Sequence, residues 1–93
     1  MRQELGSFES VSQMKGKNGP VKNQFIIQTD KGIVFQSYHS IIAARVEGKT
    51  YLDREMWDYS ITTGKYRNAF LCERKAETER KIKSGQYILA NLN

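Results

Sequence analysis

Apolar and polar residues alternate through much of the first two-thirds of the chain, and short polar clusters containing glycine interrupt the alternation. QFIIQT (Gln24–Thr29) and IVFQSY (Ile33–Tyr38) are β-rich runs separated by Asp30, Lys31 and Gly32, which predicts a tight hairpin with glycine at a positive-φ position. IIAARV (Ile41–Val46) then passes through Glu47, Gly48 and Lys49 into TYLD. This reads as a second hairpin, with a short helix followed by a strand as the alternative. As a strand it sets Ile42, Ala44 and Val46 on one side and Ala43 and Arg45 on the other. Upstream, residues 1–14 read as a strand or a flexible arm. Residues 15–23, KGKNGPVKN, read as an exposed basic loop or a hairpin tip, because they collect two glycines, the only proline and three lysines.

The period changes after residue 60. Thr62 or Thr63 is a candidate N-cap, and Tyr66 and Phe70 recur four residues apart, so a helix is expected whose Tyr66–Phe70 face covers the sheet. ERKAETERKIKSG continues with charges at helical spacing, Ala76 and Ile82 as its few apolar anchors, and Gly85 as a C-cap. It is expected to be a solvated helix, either separate from the first or continuous with it. QYILANL closes the chain as a strand that returns to the sheet. These elements predict one α+β domain spanning residues 1–93, with an antiparallel sheet of four to six strands packed on one or two helices between Thr63 and Ser84.

Composition sharpens this picture modestly. A chain of 93 residues with 39% hydrophobic side chains has material for a single core. Fifteen Lys and Arg against ten Asp and Glu give a net charge of +5, a mild bias toward polyanions that argues against mimicry of a phosphate backbone. One cysteine and one histidine supply neither a disulfide nor a four-ligand zinc site, so no metal and no cofactor are expected. No apolar run is long enough to span a bilayer and the start lacks a signal-peptide pattern, so a cytoplasmic location with no membrane partner is expected.

Candidate chemistry is sparse. His39, between Tyr38 and Ser40, has no evident nucleophile to serve and reads as a surface residue. Asp53, Glu55 and Asp58 beside Arg54 read as a charged surface turn, and Cys72 as a small core residue. No catalytic residue is expected. Ser60, Thr62, Thr63 and Gly64, with Lys65 and Arg67, converge on the expected helix start. Free N–H groups and the helix dipole favour an anion there, although capping and turn formation explain the same hydroxyls. A wider basic surface would add Lys15, Lys17 and Lys22 from the loop and Arg74 and Lys75 from the helical region, with tyrosines as stacking platforms for DNA or RNA. The tyrosines read equally as boundary residues with wet hydroxyls.

The segments FQSYHSIIA, YLDREMWDYSITTGKYRNAFL and KIKSGQY resemble an uncharacterised family of small proteins carried by bacteriophages and mobile elements, from about Gln24 to the C-terminus. The resemblance implies no catalytic residue or cofactor. It implies a context in which small proteins act by stoichiometric binding, to nucleic acid or to a host protein. The expected function is therefore a phage-encoded inhibitor that binds a host nucleoprotein defence complex, in the manner of an anti-CRISPR protein. A nucleic-acid-binding accessory protein and an oligomeric structural component of a phage are the alternatives.

Overall fold

The computed structural model describes residues 3–93; residues 1 and 2, the start of the expected arm, lie outside the described residues. Six strands form one sheet in the order of the sequence: β1 (Phe8–Gly16), β2 (Gly19–Thr29), β3 (Gly32–Ser37), β4 (Ser40–Val46), β5 (Lys49–Asp53) and β6 (Tyr87–Ala90). The first five form an antiparallel meander, and β6 runs parallel to β5. A parallel neighbour cannot be reached by a tight turn. The crossover is made by two helices, α1 (Ile61–Leu71) and α2 (Lys75–Ser84), which matches the expected α+β class.

The turns show how local chemistry sets the register. Glu47 and Gly48 both have positive φ, 51° and 77°, as a two-residue turn whose twist suits the β4–β5 hairpin requires. Gly32 has a different role from the one expected, because its φ is not positive. A Cβ there would collide with the carbonyl oxygen of Arg45 on β4, so glycine permits close strand approach. The turn itself is held by Thr29, whose Oγ1 accepts from the Lys31 and Gly32 amides at 3.2 and 3.1 Å.

Both faces of the central strands are covered. On one face, Val34, Ala44, Val46, Tyr51 and Leu92 form a cluster joined by Leu5 and Ile27. The chain ends close this face: the Gln3 amide donates to the Asn91 carbonyl at 2.7 Å, Thr29 Oγ1 donates to the Leu5 carbonyl at 2.6 Å, and the Asn93 side chain pairs with both backbone groups of Ile41. Among the described residues the expected N-terminal arm is therefore held in place, first as a strap and then as β1. On the other face Ala43, Leu52, Leu71 and Tyr87 pack together with Trp57, Phe70 and Ile82, and Phe35 stacks on Phe70 at 5.8 Å. From Ile42 to Val46 β4 is thus buried on both sides except at Arg45, more deeply than a half-buried strand.

Residues 15–23 form the expected hairpin tip rather than the alternative, an exposed loop. Only Lys17 and Asn18 lie outside the strands, and Lys15 and Gly16 pair with Pro20 and Gly19. β2 bulges between Pro20 and Phe25, with Asn23 at φ 65°, and pairs with β3 only from Gln24 onward. The β1–β2 tip therefore runs past β3 as a two-stranded arm.

Gly32→Ala is expected to cost at least about 1–3 kcal/mol, because the obstructing atom is backbone and cannot rotate away. Urea denaturation followed by far-UV circular dichroism would show the lowered midpoint.

Candidate functional site

The expected anion site at the start of α1 is built from β5, the loop 54–60 and the first turns of the helix. Asp53 organises the loop. It is 4% exposed, and its carboxylate accepts from the Leu92 amide at 2.9 Å and from the Glu55 and Met56 amides at 3.2 and 2.9 Å. It is a buried turn anchor, so the reading of Asp53 with Glu55 and Asp58 as a surface turn holds only for the last two, which are exposed.

Ser60, rather than Thr62 or Thr63, caps α1: its Oγ accepts from the Thr63 amide at 3.1 Å. Thr63 is free to turn inward, where its hydroxyl meets Ser37 Oγ at 2.9 Å, fully buried. Thr62 stays exposed. The sheet-facing strip is Thr63, Gly64, Arg67 and Leu71, with Phe70 alongside, whereas Tyr66 is only half-buried under the Lys65 ammonium. The expected Tyr66–Phe70 face is displaced because Arg67 occupies its centre.

Arg67 is 1% exposed. Its Nη1 donates to the Trp57 carbonyl at 2.8 Å and to Asp58 Oδ1 at 3.1 Å, and its Nη2 donates to Asn68 Oδ1 at 3.0 Å. The guanidinium also lies over the Trp57 ring at 5.2 Å, and Gly64 leaves room beside it, 3.6 Å from where a Cβ would stand. Asp58 Oδ2 meets Lys75 Nζ at 2.6 Å, so one carboxylate bridges a buried and a half-exposed cation. The expected anion site therefore holds an internal anion. Arg67 and Lys75 are committed to Asp58, whereas Lys65 and Arg74 face solvent without a carboxylate partner among the described residues. Arg74 is the exposed residue that begins α2, with no side-chain cap.

A second polar knot fixes the helical pair. Glu73, 5% exposed at its side chain, accepts from Lys81 at 2.7 Å, from Tyr87 at 2.8 Å and from Thr78 at 2.6 Å. The two helices are separate. Cys72 ends α1 at φ 58° and is exposed, not the core residue its composition suggested, while Gly85 ends α2 as expected. Arg45 ties the end of α1 to the sheet, reaching the Leu71 carbonyl at 3.4 Å and lying over Phe70.

The carboxyl of Asp58 is pulled up by burial, but hydrogen bonds from Lys75 and Arg67 outweigh this and hold it below its ordinary 3.8. Glu73 shows the same balance: burial raises it, and bonds from Lys81, Thr78 and Tyr87 hold it below 4.5. Both groups bind protons less readily in the folded chain. Their stabilisation is complete above the ordinary carboxylate range and is lost as pH falls through the lowered native values.

Among the expected basic residues, Lys15, Lys17 and Lys22 are exposed on the arm, and no described carboxylate lies within 4.0 Å of any of them. The Tyr38 amide donates to the Asn23 carbonyl at 2.6 Å, which seats Tyr38 directly beside the root of the arm. Tyr38, 45% exposed, and Tyr59, 64% exposed, line one cleft with His39, Ser60 and Thr62. Ser60 also borders the neighbouring cleft, which holds Lys65, Asp58 and Lys75. The fold thus joins the arm, two open tyrosines and Lys65 into one band. The pairing of Tyr38 with Tyr59 had no signal in the sequence, because the two residues belong to different turns.

Fold and site together define a small α+β domain with a basic β-arm. The chain belongs to a family of unknown function, DUF8033, which matches residues 10–86. No curated protein and no solved structure matches it.

Arg67→Ala is expected to lower stability by about 2–4 kcal/mol, since it leaves a cavity under α1 and strips the Trp57 carbonyl of its donor, while Asp58 keeps Lys75. Denaturation at neutral pH would reveal the loss. Across a pH series the wild-type urea midpoint should fall below about pH 4, and Glu73→Gln should flatten that fall while lowering the neutral-pH midpoint.

Proposed function

We propose that the chain is a non-catalytic nucleic-acid-binding protein that grips phosphate with the β1–β2 arm and stacks unpaired bases on Tyr38 and Tyr59. One observation carries this reading: the chain between Glu9 and Asp30 holds no acidic residue, and its three lysines are exposed on a projecting two-stranded ribbon. Such a ribbon reaches into grooves that a flat sheet cannot enter. Unpaired lysines release counterions on meeting phosphate, whereas Lys75 and Arg67 would first have to leave Asp58. The exposed rings beside the arm supply sequence-tolerant stacking.

A second reading keeps the same surface and changes its target. Ile61, 94% exposed, stands next to Tyr59 and gives the band an apolar end suited to protein contact. With the resemblance to proteins of bacteriophages and mobile elements, this favours a phage-encoded inhibitor that acts in the host cytoplasm by binding a nucleoprotein defence complex, as an anti-CRISPR protein does.

Fluorescence anisotropy with labelled single-stranded DNA and RNA over a salt series tests the first reading. Affinity should fall steeply with salt, and Lys17→Glu with Lys22→Glu should weaken binding about tenfold or more and reduce the salt slope by about two. Tyr38→Ala or Tyr59→Ala should weaken it about tenfold without changing that slope. Absent or salt-insensitive binding rejects the nucleic-acid reading. A complex with a CRISPR nuclease on size exclusion, with cleavage lost, would then support the inhibitor.

A further inference from the structure

Tyr38 occupies a backbone conformation that its side chain does not favour. With His39 it forms the two-residue turn between Ser37 and Ser40, and its φ is 56°, in the left-handed region where glycine and asparagine are the usual occupants. Burial does little to offset that cost, because the residue is 45% exposed. The turn is nonetheless pinned on both sides: the Tyr38 amide donates to the Asn23 carbonyl at 2.6 Å, and the Tyr38 carbonyl accepts from Gln36 Nε2 at 2.8 Å. A second cost lies in the same corner. Gln24 stands opposite Ser37 across β2 and β3, on the same face of the sheet, and is fully buried, yet neither atom of its side-chain amide has a hydrogen-bond partner among the described residues. Departures of this kind from the local rules of stability gather where a chain serves a ligand.

We infer that the cleft lined by Tyr38 and Tyr59 seats one unpaired base of a single strand, with the flanking phosphates on Lys65 and Lys22. Within the nucleic-acid reading, on which this rests, the occupant narrows to single-stranded DNA or RNA. The cleft has a volume of about 530 Å³, within the range of small-ligand sites, and Met56 adds to its apolar lining while no carboxylate lines it. Tyr59, 64% exposed, is held through its amide to the Met56 carbonyl at 3.2 Å, in the loop that Asp53 anchors. Both rings are thus presented on fixed backbone, which lowers the ordering cost of binding. Cations stand on either side. Past Ser60, the neighbouring cleft carries Lys65, Arg67 and Lys75 against one carboxylate, Asp58, and Lys65 has no ion pair among the described residues. Past Asn23, whose carbonyl holds Tyr38, stands the exposed Lys22, also without an ion pair there. A flat apolar seat between two free cations matches the repeat of a nucleic-acid strand, in which each base stands between two phosphates. A base within a duplex hides both faces in the stack and must be extruded before it can enter, so the seat serves single strands.

Fluorescence anisotropy with three labelled probes tests the seat: a short single strand, the same sugar–phosphate strand with its bases removed, and a duplex of the same sequence. Wild-type chain should bind the intact strand about tenfold more tightly than the base-free one. Tyr38→Gly and Tyr59→Ala should each remove most of that preference while leaving affinity for the base-free strand and for the duplex unchanged. Lys65→Gln should weaken both single strands alike and lower the salt slope by about one. Tyr38→Gly should also unfold in urea at a midpoint equal to or above that of wild type, because glycine relieves the left-handed turn. Equal affinity for the intact and base-free strands, tyrosine variants that weaken duplex and single strand alike, or a Tyr38→Gly chain that loses stability along with binding overturns the base seat and leaves the arm's grip on phosphate standing. If none of the three probes binds, the nucleic-acid reading fails and the seat with it.

Discussion

The fold hinges on a buried cation. Arg67 sits under the first half of α1 with almost no solvent contact, and the cost of burying its charge is offset by the Trp57 carbonyl, the Asp58 carboxylate and the face of the Trp57 ring. Those partners all come from the loop between β5 and α1. The guanidinium therefore fixes the path of that loop, and the loop sets where α1 lands on the sheet. From there the order of events is mechanical: Ser60 is positioned to cap, Thr63 turns inward to Ser37, and Phe70 comes to rest on Phe35. Arg45 and the Glu73 knot complete the attachment at the other end of the helical pair.

This arrangement sorts the basic residues into two groups. Arg67, Lys75 and Lys81 are neutralised by Asp58 and Glu73 and hold the crossover helices in place. Lys15, Lys17 and Lys22 stand on an arm free of acidic residues, with Lys65 near the clefts beside it. A net charge of +5 is mild when averaged over the chain, but residues 10–29 carry three lysines and no carboxylate, so that hairpin is more basic than the average. A long-range pull on polyanions depends on that local surplus more than on the average.

Much of the architecture was legible in the sequence because it rests on local rules. The Glu47–Gly48 turn, the Gly85 cap and the charged pattern of α2 each answer to φ, ψ or side-chain period within a few residues. The errors share a different cause. Gly32 looked like a turn glycine, yet it is required by the carbonyl of a strand thirteen residues away in sequence. Cys72 looked like a core residue, but it lies where the first helix ends. Arg67 looked like a ligand-binding group because a sequence does not display the carboxylate and ring that enclose it.

By itself, then, the sequence determined the class of fold, the hairpins and the helical region, since propensity, turn chemistry and hydrophobic period are properties of neighbouring residues. Only the tertiary structure decided three further features: that the last strand lies parallel to β5, that Asp58 fills the cationic corner at the start of α1, and that Tyr38 and Tyr59 share a cleft beside a lysine-bearing arm. The reason is physical. Whether a charge is neutralised or available depends on which groups the packed chain brings within a few ångströms of it, and that proximity is set by the core rather than by sequence spacing.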